Sequence, residues 1–191
     1  MAITKEQLLH LVRQGEVIDS VEFNGMDLSN LELGGANFSE CNFGGCKFNH
    51  TKFDQVNLLN CNLQNTIFID SVWLEVNAID CDISHSEFER CQFSSVSLIK
   101  PMFNQSKVNQ CNMVESNWVE PKVKNTEFLD TDLTFASFLQ ADLSNSNINN
   151  CNLERTNFIE CELSNVNLRD SRLQQSIFEK PLLEEQDFSN M

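Results

Sequence analysis

The chain has 191 residues and carries 28 acidic against 13 basic side chains, a formal charge of −15. That balance excludes a nucleic-acid groove or an anionic membrane surface as direct partner, because both require clustered Lys and Arg. No apolar stretch reaches membrane-spanning length, and Met1 to Gln14 alternates charge and Leu too finely for a secretory signal core, so a cytoplasmic location is expected.

The first element in chain order is a short helix over residues 5–14. Thr4 and Gln7 have capping-box spacing, Ile3 and Leu8 fit a hydrophobic staple, and Gly15 suits the stop. Leu8, Leu11 and Val12 form an apolar stripe. The expected role of residues 1–17 is a helical cap over whatever follows, since terminal units of a repeat array otherwise expose core.

From Ile18 to Phe188 a hydrophobic residue recurs at every fifth position, beginning Ile18, Phe23, Leu28, Leu33, Phe38 and Phe43. No position of the series is polar, and it takes both Trp residues and every Phe except Phe135. The residue two before each centre is mostly small, and all eight Cys fall in this class: Cys41, Cys46, Cys61, Cys81, Cys91, Cys111, Cys151 and Cys161. A five-residue step turns about 500° on an α-helix, so the centres would spiral around every face. On a flat strand the same step reverses the face each time. Both difficulties vanish if the chain turns a corner once per quintet, with two residues inward and three outward.

A second period sets the number of sides. Pro101 and Pro121, the series Cys41, Cys61, Cys81, and the series Val56, Val76, Val96 all repeat at twenty, or four quintets. Residues 18–190 are therefore expected to form one four-sided coil, a tower on the order of 40 Å long at the usual inter-strand spacing.

The quintets AnFse at Ala36, CnLqn at Cys61, AdLsn at Ala141 and CnLer at Cys151 resemble the A(D/N)LXX consensus of the pentapeptide-repeat family. The resemblance covers about nine-tenths of the chain. It implies an all-β, right-handed quadrilateral β-helix, here with a short N-terminal capping helix. The handedness comes from the resemblance alone.

In that frame the cysteines fill a small inward slot as compact hydrophobes. The column Cys41, Cys61, Cys81 could bring thiols within disulfide reach, but a reducing compartment disfavours one, and a column cannot surround a tetrahedral metal. No metal or other cofactor is expected. Gln186 fits the inward slot poorly, and Leu182 and Leu183 are expected to fold over the last coil.

No catalytic constellation is visible. His10, His50 and His85 share no face with a nucleophile, and Gly25, Gly34, Gly35, Gly44 and Gly45 sit at outward or corner places that favour tight turning. The chain is not expected to be an enzyme. One outward signal stands out: on a single side, the residue after the centre reads Leu59, Ile79, Ile99, Val119, Leu139 and Ile159 over six consecutive coils. This is an aliphatic stripe about 24 Å long at strand spacing. Asn57, Asn77, Asn117 and Asn157 run along one flank, and Asp80, Glu120 and Glu160 along the other. Stacked β-branched side chains stabilise neighbouring coils even when exposed. A continuous apolar strip also marks a contact surface. The expected function is thus a protein–protein interaction scaffold or adaptor, docking a partner protein or a second copy through this stripe.

A second reading comes from the family. Its quinolone-resistance group consists of acidic rods that mimic DNA and bind type II topoisomerases, DNA gyrase and topoisomerase IV. Asn117 and Trp118 followed by Val123, Phe128 and Leu133 are similar to a segment of that group. The expected departures are three: the projecting loops of one branch and the group's C-terminal dimerising segment are not expected here, and the acidic row, Asp70 and Asp130, is broken by Arg90 and Gln110. The Leu-rich helix running straight into repeats is also similar to bacterial members from secretion-associated gene neighbourhoods.

Overall fold

A quintet can return its centre to the interior only if the backbone bends, and the bend is found at one fixed place. In the computed structural model, which describes residues 3–181, every residue whose number is a multiple of five from Gly15 to Lys180 has φ between 48 and 75°. Four of these are glycines; the rest carry side chains, Phe135 and Arg90 among them. A left-handed residue other than Gly is disfavoured by roughly 1–2 kcal/mol, so something must hold the corners. The coil-to-coil ladder does so. Nearly every corner N–H from Ser20 to Glu160 donates to a carbonyl one coil further on, as in Asn60 to Ile79 (2.9 Å), Lys100 to Val119 (2.8 Å) and Glu120 to Leu139 (2.7 Å).

The result is a four-sided parallel β-solenoid of about eight turns preceded by one helix. The first face stacks nine three-residue strands, from Val17–Asp19 to Ile177–Glu179, in parallel register at a step of twenty. The third face has five strands, from Ile67–Ile69 to Asn147–Asn149, and the fourth has three, Lys52–Asp54, Val72–Leu74 and Gln92–Ser94. The second face is joined only by isolated bridges, from Glu22–Asn42 to Asp142–Glu162.

The difference between faces has a local cause. On the second face the residue before the centre often carries a short acceptor that takes the N–H two residues on: Asn42 from Gly44 (3.1 Å), Asn62 from Gln64 (2.9 Å), Asp82 from Ser84 (3.0 Å). Such side-chain turns compete with extended pairing. On the fourth face Asn112, Asp132 and Asn152 do the same for Val114, Thr134 and Glu154, where strands give way to bridges. The Nδ2 groups bond along the coil axis on both faces, Asn62 to Asn42 Oδ1 at 3.0 Å on the second and Asn57 to Asn37 Oδ1 at 2.8 Å and Asn77 to Asn57 Oδ1 at 3.2 Å on the first, but the Oδ1 of Asn57 takes the next coil's amide rather than a turn N–H.

Inside, the centres form four columns. Aromatic rings stack within a column, as in Phe68 on Phe88 (4.6 Å, 5°) and Phe138 on Phe158 (5.3 Å, 3°). They meet edge-on between columns, as in Phe38 against Phe43 (5.1 Å, 88°). Trp118 stacks on Phe138, and Trp73 on Phe93, so both large rings lie within aromatic columns.

The small slot is more than a space-filler. Its hydroxyls donate to the carbonyl of the centre 23 residues back: Thr51 to Leu28 (2.9 Å), Thr126 to Phe103 (2.8 Å), Thr156 to Leu133 (2.8 Å). Thiols do the same, Cys46 to Phe23 (3.0 Å) and Cys41 to Ile18 (3.1 Å). Ser, Thr and Cys are thus interchangeable because each is a compact donor. All eight cysteines are free and buried. Burial pushes the Cys46, Cys151 and Cys161 thiols up to about 11. The native protein should therefore take up no maleimide in a brief exposure near neutral pH, whereas urea-unfolded protein labels all eight, as counted by intact mass. Substantial native labelling would contradict the packed slot. The same shift has a sign for stability. Unfolded thiols ionise first, so their contribution is complete below their ordinary value near 9.0 and falls as pH climbs through about 11.

The N-terminal helix, α1 (Lys5–Gln14), is closed at both ends. Thr4 accepts from the Gln7 N–H at 3.2 Å while the Gln7 side chain takes the Thr4 N–H at 2.8 Å, and Gly15 (φ 70°) donates to Val12 at 3.0 Å. Leu8 is fully buried, with Ile3, Leu9, Leu11 and Val12 packed against the solenoid core. The expectations for Leu182, Leu183, Gln186 and Phe188 lie outside the described residues.

Candidate interaction surface

The stripe sits on the first face because that face alone is extended through nearly every coil, so its outward side chains keep one register. The Cα ladder pairs Leu59 with Ile79, Ile79 with Ile99, Ile99 with Val119, Val119 with Leu139, and Leu139 with Ile159. All six sequence-derived residues are thereby brought into one row. Leu59 is 43% exposed, and the other five are half-buried. Side chains at strand spacing cover one another's flanks, so the row is a continuous low strip rather than a line of projecting knobs. Polar residues end it: Ser39 precedes Leu59 and Glu179 follows Ile159 in the ladder.

The flank toward the small slot is neutral, made by Asn37, Asn57, Asn77, Ser97, Asn117, Ser137 and Asn157. The opposite flank is the row of left-handed corners Glu40, Asn60, Asp80, Lys100, Glu120, Gln140, Glu160 and Lys180. Only its acids stand out in the sequence. The structure places Lys100 Nζ 3.7 Å from Glu120 and Lys180 Nζ 3.4 Å from Glu160. Gln140 and Lys180 hold the Glu160 carboxyl below its ordinary value. The flank is therefore mixed in sign. Its lysines occupy the same place in the quintet as its acids, the second residue after the centre, and that shared place is the signal by which they can be found.

Other exposed apolar side chains do not form a row. Leu74, Met102 and Leu129 stand singly on different faces. Phe135 occupies a corner at φ 60° with the Arg155 guanidinium 5.2 Å from its ring centre. Nor do the acids make a regular ladder. Arg90 clamps Asp70 through Nε (2.8 Å) and Nη2 (3.0 Å), and also pairs with Glu89. That clamp holds the Asp70 carboxyl below its usual range. No cluster of three or more His, Cys, Asp or Glu able to hold a metal occurs among the described residues, and no helix among them is long and apolar enough to cross a membrane.

The family model described as pentapeptide repeat region matches residues 41–118, 81–158 and 131–191, and that described as pentapeptide repeats (8 copies) matches residues 19–55. Among solved structures, a trypsin-treated form of QnrB1, a plasmid-mediated fluoroquinolone resistance protein, aligns over 89% of this chain and 83% of its own, with 21% identity and a TM-score of 0.54. The full-length form of QnrB1 aligns over 89% and 85%, with 20% identity and a TM-score of 0.52. HetL, a pentapeptide repeat protein involved in heterocyst differentiation regulation from the cyanobacterium Nostoc sp., covers 96% and 97% at 13% identity, but its TM-score of 0.27 supports no structural argument. No curated protein sequence matches the chain. At these identities the likeness to QnrB1 establishes the fold.

Proposed function

The chain belongs to the pentapeptide-repeat family, and from that premise we propose that it is a non-catalytic interaction scaffold whose contact surface is the first face of the solenoid. The observation that carries this reading is the unbroken in-register row Leu59, Ile79, Ile99, Val119, Leu139 and Ile159. A residue that served only to pad neighbouring coils would be useful on every face, yet the outward aliphatics elsewhere are isolated. The row's location on the face with the most continuous strand pairing gives a partner an in-register apolar strip with amides and hydroxyls on one side and charges on the other. Such a layout, an apolar centre with a polar rim, is that of protein–protein contacts.

Replacing Ile99 and Val119 together by Arg should leave the fold standing, since both side chains point outward and surface changes of this kind shift stability by about 1 kcal/mol or less. The expected outcome is loss of association, read as a lower solution mass or a missing partner in a pull-down against wild type. Unchanged mass and unchanged partners, with an unchanged melt, would remove the first face from the account.

The charge of −15 favours one other reading, a DNA mimic that engages DNA gyrase or topoisomerase IV. A phosphate mimic needs regular negative charge along its length, and the Arg90 clamp on Asp70 interrupts it. A gyrase supercoiling assay with and without a fluoroquinolone separates the readings. The scaffold predicts neither inhibition nor protection, and a mimic predicts one or both.

A further inference from the structure

We propose that the first face docks against a second copy of the chain, antiparallel, in the register that covers the whole aliphatic strip and sets unlike charges opposite each other at the corners. The proposal rests on reading that face as a contact surface and goes on to name what covers it.

Two identical faces can meet antiparallel only about a two-fold axis lying in the interface and running across the coils. Such an axis brings each flank against the same flank of the partner. Placed midway between the coils of Ile99 and Val119, it covers the strip with itself: Leu59 lies opposite the partner's Ile159, Ile79 opposite the partner's Leu139, and Ile99 opposite the partner's Val119. The corner row, a separate set of residues, matches in the same position. Lys100 comes opposite the partner's Glu120, and Glu40 opposite the partner's Lys180, each twice by symmetry. Asp80 meets the partner's Gln140, and Asn60 the partner's Glu160, so no like charges face each other. On the other flank Asn57 meets the partner's Asn157, and Ser97 the partner's Asn117, groups that both donate and accept.

Sliding by one coil destroys the match in either direction. One way, Lys100 faces Lys100, Asp80 faces Glu120 and Glu40 faces Glu160. The other way, Glu120 faces Glu120 and Asp80 faces Glu160. A parallel arrangement lays the charged corners over the neutral Asn row and forms no ion pair. A slide of two coils also sets unlike charges opposite each other, Lys100 against the partner's Glu160 and Asp80 against the partner's Lys180 in one direction, but leaves only four of the six aliphatic residues covered by the partner's strip. Apolar overlap therefore selects the register, and like-charge juxtaposition penalises its immediate neighbours.

Within each chain Lys100 already lies 3.7 Å from Glu120. In the dimer the two such pairs would close into a ring of four alternating charges at the axis. Repulsion between two chains of charge −15 acts at long range, where screening is strong beyond about 8 Å at physiological ionic strength. The face is about 10 Å by 38 Å at strand dimensions, which falls below the roughly 800 Å² per partner of a standard interface. The dimer should therefore be weak and concentration-dependent.

Sedimentation equilibrium over a range from about 1 µM to 1 mM, which brackets dissociation constants for weak contacts, tests this with charge swaps. Lys100→Glu and Glu120→Lys should each lower self-association by about tenfold or more, because each turns two facing ion pairs into two like-charge pairs. The variant carrying both changes should recover to within about threefold of wild type, as rim pairs are worth about 1 kcal/mol or less. An equimolar mixture of the two single variants should dimerise as well as wild type, because the glutamate introduced in one chain then faces the lysine introduced in the other. A chain that dimerises through Ile99 and Val119 but ignores the swaps would overturn the register and leave the contact face intact. A wild type that stays monomeric at about 1 mM would overturn self-docking, leaving the face to be tested by partner capture. Dimers that persist with Arg at both 99 and 119 would overturn the face as well.

Discussion

Phe88→Asp should abolish the single cooperative melt of the solenoid. Phe88 is 1% exposed, stacks on Phe68 at 4.6 Å and on Phe103 at 5.3 Å, and meets Trp73 and Phe93 across the core. Removing a buried ring of this kind costs about 3–5 kcal/mol. The aspartate adds a charge with no cationic side chain inside the core to pair with, a further penalty of several kcal/mol. Together these approach or exceed the roughly 5–15 kcal/mol that holds an ordinary domain together. Because each coil contacts only its neighbours, the damage should split the array rather than dent it, giving a broad or biphasic melt by circular dichroism. Phe88→Leu, a residue used at the equivalent place in Leu63, should keep one transition. A Phe88→Asp protein that melts cooperatively near the wild-type temperature would contradict the inward assignment of the centres.

The second large effect lies in the backbone. Asn145 is a corner with φ 59°, and its N–H donates to the Ser164 carbonyl at 2.9 Å. Proline locks φ near −65° and has no N–H, so Asn145→Pro must open the corner and lose the ladder bond, at a cost of about 3 kcal/mol or more by analogy with helix interiors. Glycine takes positive φ freely, so Asn145→Gly should change stability by less than about 1 kcal/mol, losing only the 3.2 Å bond from the Asn165 amide. The pair of variants, compared by urea melts, separates a requirement for backbone geometry from one for the Asn side chain. Equal effects of Pro and Gly would mean that the corner is not where the coil is held.

The period of five was open to reading because it violates both regular elements at once, and the columns through Phe68 and Phe88 or Cys41 and Cys61 follow from it. The corners were half-legible. Gly25, Gly35, Gly45 and the Asn and Asp residues at 30, 60, 70 and 145 suit positive φ, but Arg90, Glu120 and Phe135 hide the pattern. At those positions the coil-to-coil N–H bonds impose the geometry, and they have no signature in any one quintet. Likewise the Asn before a centre looks the same at Asn57 and Asn62, and both bond along the axis, yet Asn62 also closes a turn. The stripe could be read from the twenty-residue repeat. Its degree of cover could not, because shielding of Ile99 by Ile79 and Val119 arises only when coils stack. The mixed sign of the corner flank was available in Lys100 and Lys180, and became informative once their distances to Glu120 and Glu160 were known.

Methyl-labelled isoleucine spectra with a soluble gadolinium chelate test the central claim, that the first face is where this solenoid makes contact. In dilute protein the methyls of Ile79, Ile99 and Ile159 should relax as strongly as those of Ile67 and Ile69, which are outward and half-buried on the third face, while Ile18, Ile83 and Ile148 in the core stay sharp. On concentration or addition of a partner, Ile79, Ile99 and Ile159 should become shielded and Ile67 and Ile69 should not. If all five outward methyls respond alike under every condition, or if association shields the third face instead, the first face is not the contact surface.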